Sequence, residues 1–338
     1  MASLGLLKTM ILEILKERLL LKFWVFTSIK QELVKNVPNI ADYDSEDYDY
    51  TKFWEKRSYV DKSEKEAIEC FYKKFILQKN QSGYFIDIGG SFGRLDDLNK
   101  KYFKNRVILD YSIEMLKKAK EINDRNLFLV AANCYKMPFK KNSFNFATSV
   151  RLIHHLEDLD TFFGEVFRIL GPDSFFFFEG ANKIHFKSVI KNLLRLNFSF
   201  FDKKPFCQPI SKKGLFLNFH PKFVIEKLKN SGFEKPKKVF SVSNFRFSIS
   251  ENKKFQNFFL FLDKVLKVAF SKINFGPSIF YSAIKPSFSD LQENKKELKD
   301  FEEILCCPIC KGNLRNLFCE NCQRMFKKID GIYDFRVI

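Results

Sequence analysis

Apolar residues fall at helical spacing near the start of the chain, at Leu7, Met10, Ile11, Ile14 and Leu15. This predicts an amphipathic helix within residues 1–35, whose apolar stripe packs on its own domain or meets a membrane surface or partner. Residues 38–52 are acidic and rich in tyrosine and are expected to loop, and a helix follows over 62–77. The period then changes. Short apolar runs at 84–88, 107–109, 127–131, 144–150 and 174–179 read as strands. Helical patterns separate them at 95–102, 113–121 and 161–170. Such alternation predicts an α/β domain built on a parallel sheet covered on both faces. A further helix over 221–231, a strand over 238–242, a helix over 255–270 and a last strand over 278–284 complete the pattern.

Charge changes the picture in one place. The chain of 338 residues is 46% hydrophobic and 29% charged, enough for a large core and too apolar for global disorder. Lys and Arg outnumber Asp and Glu by 58 to 40. Between residues 183 and 254 stand 17 Lys/Arg and four Asp/Glu, so this block holds +13 of the chain's +18. The abundance of Lys and of the 43 Phe fits A/T-rich codons, but an uneven net charge does not follow from codon choice. The block suggests an acidic partner: a phosphate-bearing acceptor, RNA or an anionic membrane. No secretory signal is evident. Lys8, Glu13, Lys16, Glu17, Arg18 and Lys22 interrupt the apolar stretch 4–26, which argues against a transmembrane span and for a cytoplasmic protein.

The densest chemistry lies at 85–93, Phe-Ile-Asp-Ile-Gly-Gly-Ser-Phe-Gly. A strand ends in an acid, Asp87, and runs into glycines that open the following segment. Glycines permit positive φ and close approach of a ligand, and free N–H groups at a helix start receive anionic groups. Asp110 ends the next strand, at the spacing of an acid that takes both hydroxyls of a ribose. Together these features point to an adenosine-containing cofactor. Glycines at 89, 90 and 93 do not make the G-x-G-x-x-G of a nicotinamide dinucleotide site.

At this point the chain resembles the class I S-adenosylmethionine-dependent methyltransferases, in particular the branch with quinone-biosynthesis enzymes. Asp87-Ile88-Gly89-Gly90-Ser91-Phe92-Gly93 is similar to the family's glycine turn, with Ser91 at its middle glycine. Val107 through Ser112 with Met115-Leu116, Met137-Pro138-Phe139 with Ser143-Phe144-Asn145, and Leu152-Ile153-His154-His155-Leu156 resemble its later motifs. So does Glu165 with Arg168-Ile169-Leu170-Gly171-Pro172. The resemblance covers about residues 50–285. It implies a doubly wound, mostly parallel seven-stranded sheet and S-adenosyl-L-methionine as cofactor. By it, Asp87, Gly89, Gly90, Ser91 and Gly93 face the methionine part, and Asp110, with Tyr111 beside it, faces the ribose. Asn133 and Cys134 face the adenine. Methyl transfer from a sulfonium needs alignment and exclusion of water rather than a protein nucleophile, so no catalytic dyad is expected; His155 is a weak candidate, since a histidine after a strand is more often a packing or capping residue.

Beyond a charged linker at 286–300, the segment 301–338 holds Cys307-Pro308-Ile309-Cys310 and, eight residues on, Cys319-Glu320-Asn321-Cys322. Two such knuckles suit tetrahedral, structural Zn²⁺. Cys306 stands as an alternative to Cys307. With the ending around Asp330-Gly331-Ile332-Tyr333-Asp334-Phe335, the module resembles a small zinc-ribbon family that includes activator subunits of methyltransferases. Four domains are therefore expected: a helical extension at 1–50, a catalytic domain at 51–285 with a basic insertion at 183–254, the linker, and a ribbon separable from cofactor binding. The acceptor is expected to be a small molecule, lipid or glycan intermediate. The alternative is rRNA or tRNA, held by the basic block and by Phe206, Phe216, Phe219 and Phe223. Peripheral membrane contact is also expected through the N-terminal helix.

Overall fold

A computed structural model describes residues 50–75, 83–207, 216–287 and 300–336. The expected N-terminal helix and nearly all of the expected linker lie outside them.

Two helices, α1 (Tyr50–Glu55) and α2 (Ser58–Phe75), precede the sheet. Strands and helices then alternate: β1 (Tyr84–Ile88), the short α3 (Asp96–Asn99), β2 (Asn105–Asp110), α4 (Ile113–Lys120), β3 (Leu127–Ala131), β4 (Phe144–Ser149), α5 (Leu159–Ile169) and β5 (Leu170–Ala181). The basic block contributes α6 (Phe186–Leu194), α7 (Pro221–Asn230) and β6 (Glu234–Val242). After it come α8 (Lys253–Lys272) and β7 (Ser278–Ile284). A terminal hairpin, β8 (Lys327–Ile329) and β9 (Ile332–Asp334), belongs to the cysteine-rich segment. Local signals start the helices: Ser112 accepts the Met115 N–H before α4, and Asp158 accepts the Thr161 N–H before α5, each a side-chain N-cap.

One sheet of nine strands runs in the order β8-β9-β3-β2-β1-β4-β5-β7-β6. β3, β2, β1, β4 and β5 are parallel, and β7 runs antiparallel to both β5 and β6. These seven strands make the expected mostly parallel, seven-stranded sheet. The run Phe175–Phe178 shows how its core is made. Phe176 and Phe178 join the cluster on one face, and Phe175 and Phe177 join the cluster on the other. Alternate side chains of a strand point to opposite faces, so a strand covered on both sides is apolar throughout.

The last two strands join the ribbon to the sheet. β9 pairs with β3 in parallel register, Ile332 with Leu129, Tyr333 with Val130 and Asp334 with Ala131. The Phe335 N–H continues the ladder to the Ala131 carbonyl at 2.8 Å. At the other end of the segment Phe301 stacks on Phe128, ring centroids 4.1 Å apart. The Cys306 N–H donates to the Pro138 carbonyl, and the Lys140 N–H to that of Ile304. The open edge of β3 offers unpaired backbone groups and apolar surface, and the ribbon covers both.

Candidate functional site

The carboxyl ends of β1, β2, β3 and β4 surround a cleft of about 740 Å³, open to solvent, with a smaller pocket adjoining it. Gly89, Ser91, Asp110, Tyr111, Asn133, Cys134 and His155 line the cleft, and Asp87 and Gly90 line the adjoining pocket. Gly93 lines neither. Its φ of 78° instead makes the turn that leads away from the site.

The turn after β1 is tied to β2. The Gly89 N–H donates to the Leu109 carbonyl at 2.7 Å. Gly89 sits at φ 76°, and a Cβ there would meet the Leu152 side chain at 3.0 Å. Ser91 holds φ 51° without being glycine, a conformation that costs roughly 1–2 kcal/mol for an L-residue. Its N–H is compensated by the Asp110 Oδ2 at 2.8 Å, while Asp110 Oδ1 accepts from the Ser112 N–H at 3.0 Å. Asn133 is held similarly: its Oδ1 accepts the Tyr135 N–H at 2.9 Å. Burial pushes the Cys134 thiol up to about 12, with Asp110 adding to it, so it is neutral at physiological pH.

Asp87 is buried. The Thr148 hydroxyl donates to its Oδ1 at 2.9 Å. Desolvation pushes its carboxyl up to about 7; Asp96 and Asp110 reinforce the rise, and Thr148 and Arg94 oppose it. His155 lies in the cleft wall, whereas His154 is buried against Phe216, with ring centroids 4.4 Å apart. Burial holds His154 well below the usual histidine range, and its Nδ1 has no partner among the described residues.

The sequence reading missed a buried charge cluster at this cleft. Glu64 of α2 is fully buried; it accepts from Arg94 Nη2 at 2.8 Å and from Arg151 Nε at 2.8 Å. Burial alone would raise its pKa, but Arg151, Arg94 and Arg246 outweigh that and hold it below the ordinary carboxylate range. Arg151 lines both the cleft and the adjoining pocket at φ 65°. Its guanidinium and that of Arg94 face the Trp54 ring, at 5.7 and 3.7 Å from the centroid. Glu179, a charge directly after the apolar run Phe175–Phe178, accepts the Arg151 N–H at 3.3 Å. That misplaced charge is the signal the sequence offered; Glu64, in a helix rich in charge, offered none.

The ribbon gathers the Sγ atoms of Cys307, Cys310, Cys319 and Cys322 within 4.8 Å of one another. Cys307, not Cys306, belongs to this group. The Sγ separations of 3.9 Å for Cys307–Cys322 and 3.5 Å for Cys310–Cys319 bracket the ~3.8 Å edge of a tetrahedron with ~2.3 Å metal–sulfur bonds. The donor set therefore fits a thiolate-bound metal. Lys311, inside the first knuckle, reaches Glu165 of α5 at 2.8 Å and the Met137 carbonyl at 3.1 Å. Glu165 also accepts the Met137 N–H, so one acid fixes both the loop after β3 and the ribbon.

Residues 86–178 match the family model for a methyltransferase domain. Over these residues the chain is similar to a methyltransferase domain. An uncharacterized protein of Methanocaldococcus jannaschii is 35% identical over 152 residues, 42% of this chain and 58% of that relative. The chain thus spans little more than half of the curated relatives it matches. A possible histamine N-methyltransferase of Thermotoga maritima aligns over 70% of this chain and 94% of its own, with a TM-score of 0.44 and 17% identity. A complex of the Haloferax volcanii Trm112 methyltransferase activator with a methyltransferase aligns over 69% and 92%, with a TM-score of 0.46 and 15% identity. Gly89, Ser91, Asp110 and Asn133 of the sequence motifs lie around one cleft.

Proposed function

We propose that this chain binds S-adenosylmethionine in the cleft and transfers its methyl group to a small apolar or lipid-like acceptor. The observation that carries the reading is the convergence of four strand ends on one cavity. Gly89 and Ser91 of the glycine turn, Asp110 and the amide acceptor Asn133 line it, and the buried acid Asp87 lines the adjoining pocket. Asp110 would take the ribose hydroxyls, and Asn133 Oδ1 the adenine amino group. Asp87, once ionised, would face the ammonium of the methionine part. The bound cofactor supplies an electrophilic methyl on a sulfonium; the chain's own residues hold, orient and keep water out. The Glu64–Arg94–Arg151 cluster fixes the floor of the adjoining pocket with charges already paired. His155 is placed to border the acceptor without a proton-transfer partner being required.

Two features favour a small or lipid-like acceptor over RNA. Leu152, Leu156 and Tyr135 give the cleft wall apolar surface beside Arg151 and His155. The aromatics that would stack bases are used inside the fold. Phe219 is buried, Phe216 lies on His154, and Phe206 packs on Phe200 at 5.6 Å. In the ribbon, Cys307, Cys310, Cys319 and Cys322 would hold one structural zinc, whose binding couples to folding of the segment. Incubating the protein with methyl-labelled S-adenosylmethionine and fractionated extract tests the acceptor class. Label in organic-soluble or small-molecule fractions is expected; label only in nuclease-sensitive material would overturn it.

A further inference from the structure

Helix α8 is amphipathic the wrong way round for a soluble domain. Its buried positions are Gln256, Asp263, Lys267 and Ser271. Each is used in the interior: Asp263 accepts from the Tyr59 and Ser63 hydroxyls at 2.6 and 2.7 Å, Gln256 from Lys62 at 2.6 Å, and Lys267 lies 3.6 Å from Glu66. The outward face carries Phe255, Phe258, Phe261, Val265 and Val268 at spacings of three and four, and Phe258 and Phe261 are 58% and 61% exposed. A helix whose polar side is inward and apolar side outward is built for an apolar surrounding.

The face does not stop at α8. Phe186, at the start of α6, stacks on Phe275 just beyond α8, with centroids 5.1 Å apart. Lys187 lies over the Phe247 ring at 4.3 Å, and Phe247 meets Phe259 of α8. At the end of α6 and just after it, Leu194, Leu196 and Phe198 are 82%, 75% and 66% exposed. The charge among them has one sign. Lys187, Lys191, Arg195, Lys253, Lys254 and Lys264 are exposed, residues 186–201 contain no acid, and the only acid of α8, Asp263, is buried. A second copy of the chain would set lysine against lysine on this face. No helix among the described residues is long and apolar enough to cross a membrane.

We propose that α6 and α8 dock this protein on an anionic lipid bilayer, lying in the interface with phenylalanines in the acyl boundary and lysines at the headgroups. This assignment stands on the outward face alone and does not depend on methyl transfer. It does place the cleft near the bilayer, because Phe259 and Leu260 of α8 share a cluster with Tyr50 and Phe92, which line the cleft and its adjoining pocket.

The test uses the full chain in cosedimentation with vesicles of phosphatidylcholine, with and without phosphatidylglycerol. Binding is expected to require phosphatidylglycerol and to weaken as salt rises. Lys253→Glu with Lys254→Glu should lower it on the order of tenfold or more, since each lysine near such a surface is worth roughly fivefold. Phe258→Ser with Phe261→Ser should lower it at least as much at unchanged melting temperature, because both side chains are exposed. Absence of binding would overturn the proposal. So would binding that neither double variant weakens, which would locate the contact elsewhere in the chain. A dimer in lipid-free ultracentrifugation that the phenylalanine variant dissociates would assign the face to a second copy instead.

Discussion

Phe301→Ala tests whether the ribbon is part of the sheet. Phe301 is 2% exposed; it lies flat on Phe128, with an interplanar angle of 11°, and meets the Tyr333 ring at 5.3 Å and the Tyr84 ring at 5.9 Å. Tyr84 and Phe128 belong to β1 and β3, and Tyr333 to β9, so one side chain joins the ribbon to two further strands of the sheet. Truncating a buried Phe costs about 3–5 kcal/mol from lost transfer energy and the cavity left behind. The stacked pair accounts for about 0.5–1.5 kcal/mol of it. For a domain of this size that loss lowers the melting temperature by roughly 6–20 °C. Urea unfolding followed by circular dichroism, with metal release followed in parallel by a chromogenic chelator, is the assay. Both signals should move together to lower urea in the variant. A loss below about 1 kcal/mol, or metal release well before the sheet unfolds in both proteins, would show that the ribbon is an independent appendage.

Four further outcomes are expected. Cofactor affinity should rise as pH rises from 6 to about 7.5, because Asp87, pushed up to about 7 by burial, must lose its proton to face an ammonium; calorimetry at the two pH values checks this, and Asp87→Asn should flatten the profile. The same group sets an opposite trend in stability: between about pH 4 and 7 the folded protein keeps a proton that the unfolded chain has lost, so its contribution to unfolding free energy falls as pH rises through that window, and the slope should vanish in Asp87→Asn. Glu64→Gln leaves Arg94 and Arg151 without their shared counter-charge and should destabilise by about 3–5 kcal/mol in urea unfolding. Metal analysis should find about one zinc per chain and much less in Cys310→Ser.

The regular part of this fold was legible because its signals are local. The strand bounds at 84–88, 127–131 and 278–284 were readable from apolar runs ended by Gly, Asn or Pro. The glycine turn and Asp110 were readable because the chemistry fixes their positions at strand ends. The ribbon's place was not: β9 has three residues, and nothing within them says that their partner is Leu129 to Ala131, some two hundred positions earlier. Helix α6 was missed because its lysines and its exposed Phe186 and Leu194 read as an irregular basic segment. Helix α8 was found from its period, but period does not say which face is buried, and here the polar one is. Glu64 and Arg151 stand 87 positions apart, and their pairing emerges only when α2 packs beside the end of β4.

The central claim is that Asp110 anchors S-adenosylmethionine in this cleft, and calorimetric titration of wild type, Asp110→Asn and Asp110→Ala with S-adenosylmethionine tests it most directly. Each charge-assisted hydrogen bond to the ribose is worth about 1.5–3 kcal/mol. Loss of two should therefore raise Kd in Asp110→Ala by on the order of a hundredfold or more, with Asp110→Asn intermediate and both variants folded by circular dichroism. Wild type that does not bind the cofactor, or a folded Asp110→Ala that binds it as tightly as wild type, would contradict the account.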